Sequence, residues 1–225
     1  MKTFIITLFD SDLSITLANE CKSAAKEFGI DAELWPAVNG LNDGLSKLDK
    51  YGIPDFLIFK NALGVIGCFL SHFELWQYSV DNNESLTILE HDGKFIRGMP
   101  KNVDQMFDDV LRLDPFKATD PMYNQKVTDS LEHEIDVFNP PAAGTHKAGE
   151  FATGSYCYCV KPHAAKKLMD FSIKHGGLPS DVHLGRDIVD LKATTATIVR
   201  LHEFYTETTI HSHSMTANLS KFLNN

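Results

Sequence analysis

The chain has 225 residues, of which 43% are hydrophobic and 23% charged, and its formal net charge is −9. This length is sufficient to bury a core, and we expect a single domain over residues 1–225. The acidic balance argues against general binding to nucleic acid, which needs a basic surface. The sequence shows no apolar run near the roughly 20 residues that cross a membrane, and its β-branched amino terminus lacks a cleavage site. We therefore expect a cytoplasmic protein.

The amino-terminal part predicts alternating strands and helices. A strand is predicted over 3–9, a helix with one apolar face over 12–28, and a strand over 31–37. This order is typical of the opening βαβ unit of a nucleotide-binding sheet. Residues 41–62 contain two glycines and a proline, which predicts a short helix followed by an irregular connection.

A long helix is predicted to begin near Gly67. Apolar residues recur at three- and four-residue spacing, which is typical of a buried helix face: Phe69, Leu70, Phe73, Trp76 and Val80. The apolar run that starts at Leu86 then predicts a buried strand. We interpret this pair as a crossover helix that leads into a central strand.

The predicted strand stops abruptly at Glu90, His91 and Asp92. Open α/β sheets bind their ligands beyond the carboxyl ends of their strands, which is where these side chains should lie. Carboxylate oxygens suit Mg²⁺, and Mn²⁺ also accepts an imidazole nitrogen. The pattern indicates a divalent metal site that holds phosphates, and the alternative is a solvated acidic turn.

The second half of the chain gives weaker signals. Pro100 is predicted to open a helix that runs to about Leu111. Residues 127–152 mix acidic residues with prolines and glycine, and we interpret them as an acceptor-side loop, the alternative being a variable loop without substrate contact. The remaining predictions are a strand over 114–126, a strand over 153–160, a helix over 162–175, a strand over 195–201 and an irregular tail over 202–225.

The four cysteines lie in apolar stretches without paired metal-ligand spacing: Cys21, Cys68, Cys157 and Cys159. This usage predicts reduced, buried thiols. Because Cys157 and Cys159 are two residues apart in a predicted strand, their side chains should share one face. Core packing is our interpretation of that pair, with a vicinal metal site as the alternative.

Histidines provide the remaining candidate ligands. In an extended tail, His211 and His213 would project the same way and present two imidazoles to one metal, unless the tail is simply polar and exposed. His72 follows Ser71 in the predicted helix, and we interpret it as a structural hydrogen-bonding partner rather than a base.

Several motifs together resemble glycosyltransferase family 25, which includes bacterial lipopolysaccharide-type and collagen galactosyltransferases. The main ones are Gly67-Cys68-Phe69-Leu70-Ser71-His72 and Leu89-Glu90-His91-Asp92. Others that are similar in order and spacing are Phe4-Ile5-Ile6-Thr7-Leu8, Trp35-Pro36-Ala37-Val38-Asn39-Gly40, Thr153-Gly154-Ser155-Tyr156-Cys157-Tyr158 and Pro179-Ser180-Asp181.

The resemblance implies an α/β fold, a GT-A-like single domain with a Rossmann-like, mostly parallel sheet flanked by helices. It implies inverting transfer of a hexose, with galactose favoured, from a UDP-sugar to a hydroxyl of a glycan-type acceptor. Mn²⁺ or Mg²⁺ would assist. The sequence does not indicate an oligomeric state.

The resemblance also implies roles for individual residues. Glu90, Asp92, Leu8 and Ser71 would contact the nucleotide donor, and the metal would be held by Asp92, Glu90 and a tail histidine, His211 or His213. Asp181 is the candidate catalytic base. The alternative role for Asp181 is to cap a helix, in which case Asp187 could serve as base.

Three departures from the family pattern bear on activity. His91 replaces an aspartate, Val65 stands where glutamate is usual, and residues 10–14 lack the usual arginine. One alternative function is therefore a relative that binds the donor without turnover. Another is a metal-dependent hydrolase built from Glu90, His91, Asp92, His211 and His213.

Overall fold

The computed structural model describes residues 1–54, 62–113, 134–152 and 154–201. Its helices are α1 (Asp12–Glu27), α2 (Gly44–Tyr51), α3 (Leu63–Asn82), α4 (Pro162–His175) and α5 (Ser180–His183), with a short 3₁₀ helix at Val103–Gln105. Its strands are β1 (Lys2–Thr7), β2 (Ala32–Pro36), β3 (Leu86–Glu90), β4 (Gly93–Phe95), β5 (Val110–Arg112), β6 (Val137–Phe138), β7 (Gly144–His146), β8 (Gly149–Phe151), β9 (Cys157–Val160), β10 (Leu191–Thr194) and β11 (Val199–Leu201).

A seven-stranded sheet forms the centre, in the order β2-β1-β3-β9-β5-β10-β6. Strands β1, β2, β3, β5 and β10 run in one direction, whereas β9 and β6 run in the other. Two further pairs, β4 with β11 and β7 with β8, form small antiparallel sheets. The predicted α/β class with a mostly parallel sheet is therefore confirmed.

Helices cover both faces of the sheet. Side chains alternate along each strand, so Leu86 and Ile88 of β3 pack with α3 and α4, while Leu89 packs with α1 on the opposite face. Cys157 and Cys159 share the α1 face, as predicted. The same alternation directs Glu90, the next residue after Leu89, toward the α3 face.

Helix α3 is the best-predicted element of the core. Phe69, Leu70, Phe73 and Trp76 are all at most 1% exposed. The helix begins at Leu63, four residues before the predicted start at Gly67, because Val65 and Ile66 already continue its buried face. Helix α4 occupies the predicted residues 162–175.

The predicted helix from Pro100 to Leu111 is wrong. Its middle forms a single 3₁₀ turn at Val103–Gln105, and its end is strand β5, which lies fully buried between β9 and β10. A three-residue strand buried on both faces has no alternation by which it could be recognised.

Other elements have bounds that differ from those predicted. The strand expected over 153–160 begins only at Cys157, and the one expected over 195–201 forms only over its last three residues, as β11. The acceptor-side loop expected over 127–152 contains β6, β7 and β8 in its described part, 134–152. The strand expected over 114–126 lies outside the described residues.

Helix lengths and cysteine burial can also be compared with the sequence. Within the described part of the chain, we find no helix long and apolar enough to cross a membrane. All four cysteines are free, and three are buried as expected. Cys68 is the exception, because it is only half-buried and lines the cavities described below.

Candidate active site

The candidate site lies where three neighbouring parallel strands end. The carboxyl ends of β2, β1 and β3 meet at one edge of the sheet, beneath the first turns of α3. A cavity of about 210 Å³ opens there. We call it the first cavity; its lining is Ile6, Leu8, Ser14, Ala37, Val38, Asn39, Gly40, Leu41, Gly64, Cys68, Ser71, His72, Glu90 and His91.

Two glycines bring the loop after β2 into direct contact with α3. A Cβ atom on Gly67 would lie 2.6 Å from both the Gly40 nitrogen and the Val38 oxygen, and one on Gly40 would lie 1.7 Å from the Leu63 oxygen. Neither distance is sterically possible against backbone atoms. The wall of the first cavity therefore depends on main chain packed against main chain.

Ser71 fastens the same loop. Its hydroxyl accepts a hydrogen bond from Val38 N–H at 2.9 Å and donates one to the Gly67 carbonyl at 2.7 Å. Leu8 is held in turn by its backbone N–H, which donates to Ser14 Oγ at 2.8 Å. Leu8, which follows β1, and Ser71 of α3 are two of the four residues expected to contact the donor, and both line the first cavity.

A second cavity, of about 250 Å³, lies on the other side of Glu90. It is formed where β3 ends, β9 begins and α5 begins; its lining is Val65, Cys68, Glu90, Asp92, Gly154, Ser155, Tyr156, Pro179, Ser180, Asp181 and Leu201. Cys68 and Glu90 line both cavities and so form a shared wall. The predicted residues Glu90, Asp92 and Asp181 therefore face one space.

A buried chain of hydrogen bonds orients Glu90. Trp76 Nε1–H donates to Tyr158 Oη at 2.9 Å. The Tyr158 hydroxyl in turn donates to His72 Nδ1, also at 2.9 Å. The other ring nitrogen, His72 Nε2, then donates to Glu90 Oε1 at 3.2 Å. His72 is 0% exposed, so its orientation is fixed by packing, in agreement with the structural role predicted for it.

The charge of Glu90 is stabilised by these neighbours. Burial by itself would raise the pKa of Glu90, but the hydrogen bond from His72 and the nearby imidazoles outweigh it and hold the pKa below its ordinary value. Burial lowers the pKa of His91, although Glu90 and the Ile6 backbone oppose that change. Glu90 is therefore an anion at neutral pH.

Asp181 lines the second cavity and is not the N-cap residue of α5. Pro179 occupies the N-cap of α5, and no described side chain caps that helix. The Asp181 carboxylate instead accepts hydrogen bonds from Gly154 N–H at 3.3 Å and from its neighbour Val182 N–H at 2.9 Å. Burial raises the pKa of Asp181 despite these donors and the charge of Arg112. A raised pKa strengthens a general base.

The metal-ligating groups present here fit the cation that the sequence predicts. Glu90 and Asp92 present carboxylates to the same cavity, and oxygen ligands of this kind suit Mg²⁺ and Mn²⁺. The two tail histidines expected to assist, His211 and His213, lie outside the described residues. Asp187, the alternative base, is exposed and lines neither cavity.

Sequence reasoning missed three members of the site. Cys68 was assigned to the core, and Ser155 and Ser180 were given no role. The serine hydroxyls lie 2.7 Å apart in the second cavity, and Ser155 also hydrogen-bonds to Glu90. The four-residue spacing of Cys68 and His72 was the available signal, since such a pair shares one helix face.

Fold and cavities define an α/β protein with two adjoining cavities at the carboxyl edge of its central sheet. Comparison with known proteins makes this more specific. The family described as Glycosyltransferase family 25 (LPS biosynthesis protein) matches residues 59–184, more than half of the chain. The chain therefore belongs to glycosyltransferase family 25, and the match includes Glu90, Asp92 and Asp181.

Curated relatives agree with the family. A glycosyltransferase 25 family member of Aedes aegypti is 34% identical over 95 residues, which are 39% of this chain and 16% of that protein. The probable inactive glycosyltransferase 25 family member 3 of Rattus norvegicus is 26% identical over 190 residues, 78% of this chain and 32% of that protein. A glycosyltransferase 25 family member of Anopheles gambiae is 38% identical over 76 residues, 30% of this chain and 13% of that protein. In each case the chain spans less than a third of the relative.

Proposed function

We propose that the chain is a metal-dependent, inverting glycosyltransferase that moves a hexose from a UDP-sugar to a hydroxyl of a glycan-type acceptor. Galactose is the hexose that the family favours. The observation that carries the proposal is the pair of cavities on either side of Glu90, one lined by the ends of three parallel strands and the other by Asp92 and Asp181. The first cavity would take the nucleotide and the second the reacting groups.

The proposed reaction needs one base and one stabilised leaving group. Asp181 accepts the proton of the acceptor hydroxyl, whose oxygen forms a bond to the anomeric carbon. The bond from that carbon to the diphosphate breaks on the opposite side, and the electron pair leaves with the diphosphate. This displacement inverts the anomeric centre.

Glu90 and Asp92 would hold the cation. A bound Mn²⁺ or Mg²⁺ supplies Lewis-acid stabilisation of the departing diphosphate. The chain itself is acidic, with a net charge of −9, so a cation is the simplest partner for a nucleotide diphosphate beside these carboxylates. The hydrogen bond from His72 keeps Glu90 ionised and available for this role.

The first test is a calorimetric titration of UDP with and without Mn²⁺, on the wild type and on Asp92→Asn. We expect binding that requires Mn²⁺ and that weakens by about tenfold or more in Asp92→Asn, because one charged ligand oxygen is lost. Asp187→Asn, which changes an exposed aspartate outside both cavities, should bind as the wild type does.

Two results would contradict the proposal. Tight UDP binding with equal affinity in the presence and absence of Mn²⁺ would show that the acidic motif does not hold the nucleotide through a metal. Absence of UDP binding would exclude a UDP-sugar donor. Transfer to a defined acceptor distinguishes the remaining functions. Metal-dependent binding without any transfer would instead support the non-catalytic relative, a function that the name of the rat protein also suggests.

A further inference from the structure

Helix α3 presents a thiol and an imidazole side by side at the shared wall. Cys68 and His72 are four residues apart, so their side chains lie on one face of the helix, opposite Glu90 at the end of β3. We propose that Cys68, His72 and Glu90 form a second metal site, distinct from the Glu90–Asp92 pair and selective for a thiophilic cation of the Zn²⁺ type.

The distances support a nearly preformed site. His72 Nε2 lies 3.2 Å from Glu90 Oε1, Cys68 Sγ lies 4.0 Å from the same oxygen, and each residue offers a ligand atom within 4.8 Å of the other two. Zinc bonds of about 2.0–2.3 Å in tetrahedral geometry place ligand atoms roughly 3.3–3.6 Å apart. Small side-chain adjustments of Cys68 would therefore complete three ligands.

The cation would have an open fourth position. Cys68 and Glu90 border both cavities, so a water or a substrate oxygen can reach the cation from either side. Three protein ligands with one open position is the arrangement of zinc sites that bind exchangeable ligands. Tyr158 Oη lies against His72 Nδ1 at 2.9 Å and provides the outer partner that orients a metal-bound histidine.

The thiolate decides which cation is preferred. Cysteine sulfur favours zinc and similar borderline ions, whereas Mg²⁺ and Ca²⁺ prefer oxygen. Zinc binds cysteine as the thiolate, so binding releases the Cys68 thiol proton, and the His72 proton moves from Nε2 to Nδ1. The negative charges of Glu90 and of Asp181 and Asp92, which line the second cavity with Cys68, attract a cation to the sulfur.

The proposed site shares Glu90 with the proposed donor metal. A cation bound to Cys68 and His72 draws Glu90 toward α3 and away from Asp92. Zinc occupancy would therefore compete with the Mn²⁺ that assists UDP binding. Zinc binding itself does not rest on the proposed function, because a chain without transferase activity would still present these three ligands.

The test uses Co²⁺ as a spectroscopic substitute for Zn²⁺, on protein without nucleotide. We expect a near-ultraviolet charge-transfer band from thiolate to cobalt, intense visible bands of tetrahedral cobalt, and loss of both on addition of Zn²⁺. Cys68→Ser should abolish the charge-transfer band. It should also weaken Zn²⁺ binding. The loss of affinity should exceed the roughly 10- to 100-fold that follows removal of a residue that only hydrogen-bonds to a metal ligand.

The matched control is Cys159→Ser, which changes a buried cysteine on the opposite face of the sheet. That variant should keep the cobalt spectrum. A cobalt spectrum without the charge-transfer band, or a band that persists in Cys68→Ser, would overturn the proposal.

A measurement on the wild type avoids any dependence on a variant that folds poorly. Cys68 is half-buried, whereas the other three cysteines are buried, so it is the thiol that an alkylating reagent should modify in the folded protein. We expect Zn²⁺ to slow alkylation of Cys68 and Mg²⁺ to leave it unchanged, as mapped by mass spectrometry. Equal rates with and without Zn²⁺ would contradict the site. Neither measurement involves UDP, so failure here leaves the donor titration to be judged separately.

Discussion

Glu90 takes part in both proposed metal sites, and its surroundings explain why one carboxylate can do so. One side of the carboxylate receives the hydrogen bond from His72, and the other is reached from the cavity that contains Asp92. Asp181 differs, because its donors within the described part of the chain are backbone N–H groups and its pKa is raised by burial. Two acidic residues in one cavity thus have environments suited to an anionic ligand and to a base.

Asp181→Asn tests the proposed base. The amide oxygen can still accept the backbone hydrogen bonds, but it cannot accept the acceptor's proton. We expect the transfer rate to fall by about 10²- to 10⁴-fold, the usual effect of losing a general base, with UDP binding retained. Single-turnover transfer to a defined acceptor measures the rate, and calorimetry measures the binding.

The control for that experiment is Asp187→Asn, since Asp187 is exposed and lines neither cavity. Its transfer rate should match the wild type. A wild-type rate in Asp181→Asn would exclude Asp181 as the base. Equal losses in both variants would point to a general effect of charge rather than to proton transfer.

At the scale of elements, the contact between α3 and the loop after β2 shapes the first cavity. Gly67 and Gly40 allow the two backbones to touch, and Ser71 fixes the loop by two hydrogen bonds. The Asn39-Gly40 turn and the Gly67-Cys68 start of the family motif are thus two sides of one junction.

Gly67→Ala should open that junction. Its methyl group would lie 2.6 Å from backbone atoms of the loop, which must then move away from the helix. We expect the free energy of unfolding to fall by about 1–3 kcal/mol, as for other overpacked sites, and UDP binding to weaken. Chemical denaturation measures the first effect and calorimetry the second.

The control is Gly64→Ala, at an exposed position three residues earlier on the same helix. It distinguishes the effect of the loop contact on stability from the effect of alanine on helix propensity. Alanine is favoured over glycine within helices, so this control should be as stable as the wild type or slightly more stable. A Gly67→Ala protein of unchanged stability would show that the loop is not held by backbone contact.

Predictability from sequence also differed by element. Helix α4 and the extended face of α3 were found because their apolar residues follow a helical period over several turns. Strand β5 was missed because three buried residues carry no period. Motifs made Glu90, Asp92 and Asp181 candidate site residues, and all three line one cavity. The positions of Cys68, Ser155 and Ser180 depend instead on how α3 and α5 pack around β3 and β9, which no local pattern records.

At the scale of the whole molecule, one buried histidine, His183, links stability to pH. His183 is 0% exposed and packs among Trp76, Phe69 and Phe171. Its Nε2 lies 3.0 Å from the Leu168 carbonyl and therefore carries the donor proton, while Nδ1 lies buried without a hydrogen-bond partner among the described residues. Burial lowers the pKa of His183 to about 4 from its ordinary 6.5.

Protonation of His183 on unfolding sets the direction of the pH dependence. Between pH 6.5 and 4, the unfolded chain binds a proton at this histidine that the folded protein does not, so stability falls as the pH falls through this window. Fully developed, the effect is about 3 kcal/mol, at 1.36 kcal/mol per pKa unit. His183→Gln, which keeps a donor for Leu168, should show a shallower loss of stability over that range. Denaturation curves at several pH values test this, and parallel curves for the two proteins would contradict it.

The direction of strand β9 decides which groups reach the site. The carboxyl ends of β2, β1 and β3 meet there, but β9 runs in the opposite direction beside β3, so the residues that precede β9 lie where β3 ends. These residues bring hydrogen-bond donors: Gly154 offers its N–H to Asp181, and the Ser155 side chain hydrogen-bonds to Glu90. An antiparallel neighbour of β3 thus supplies donors to both carboxylates that share this edge.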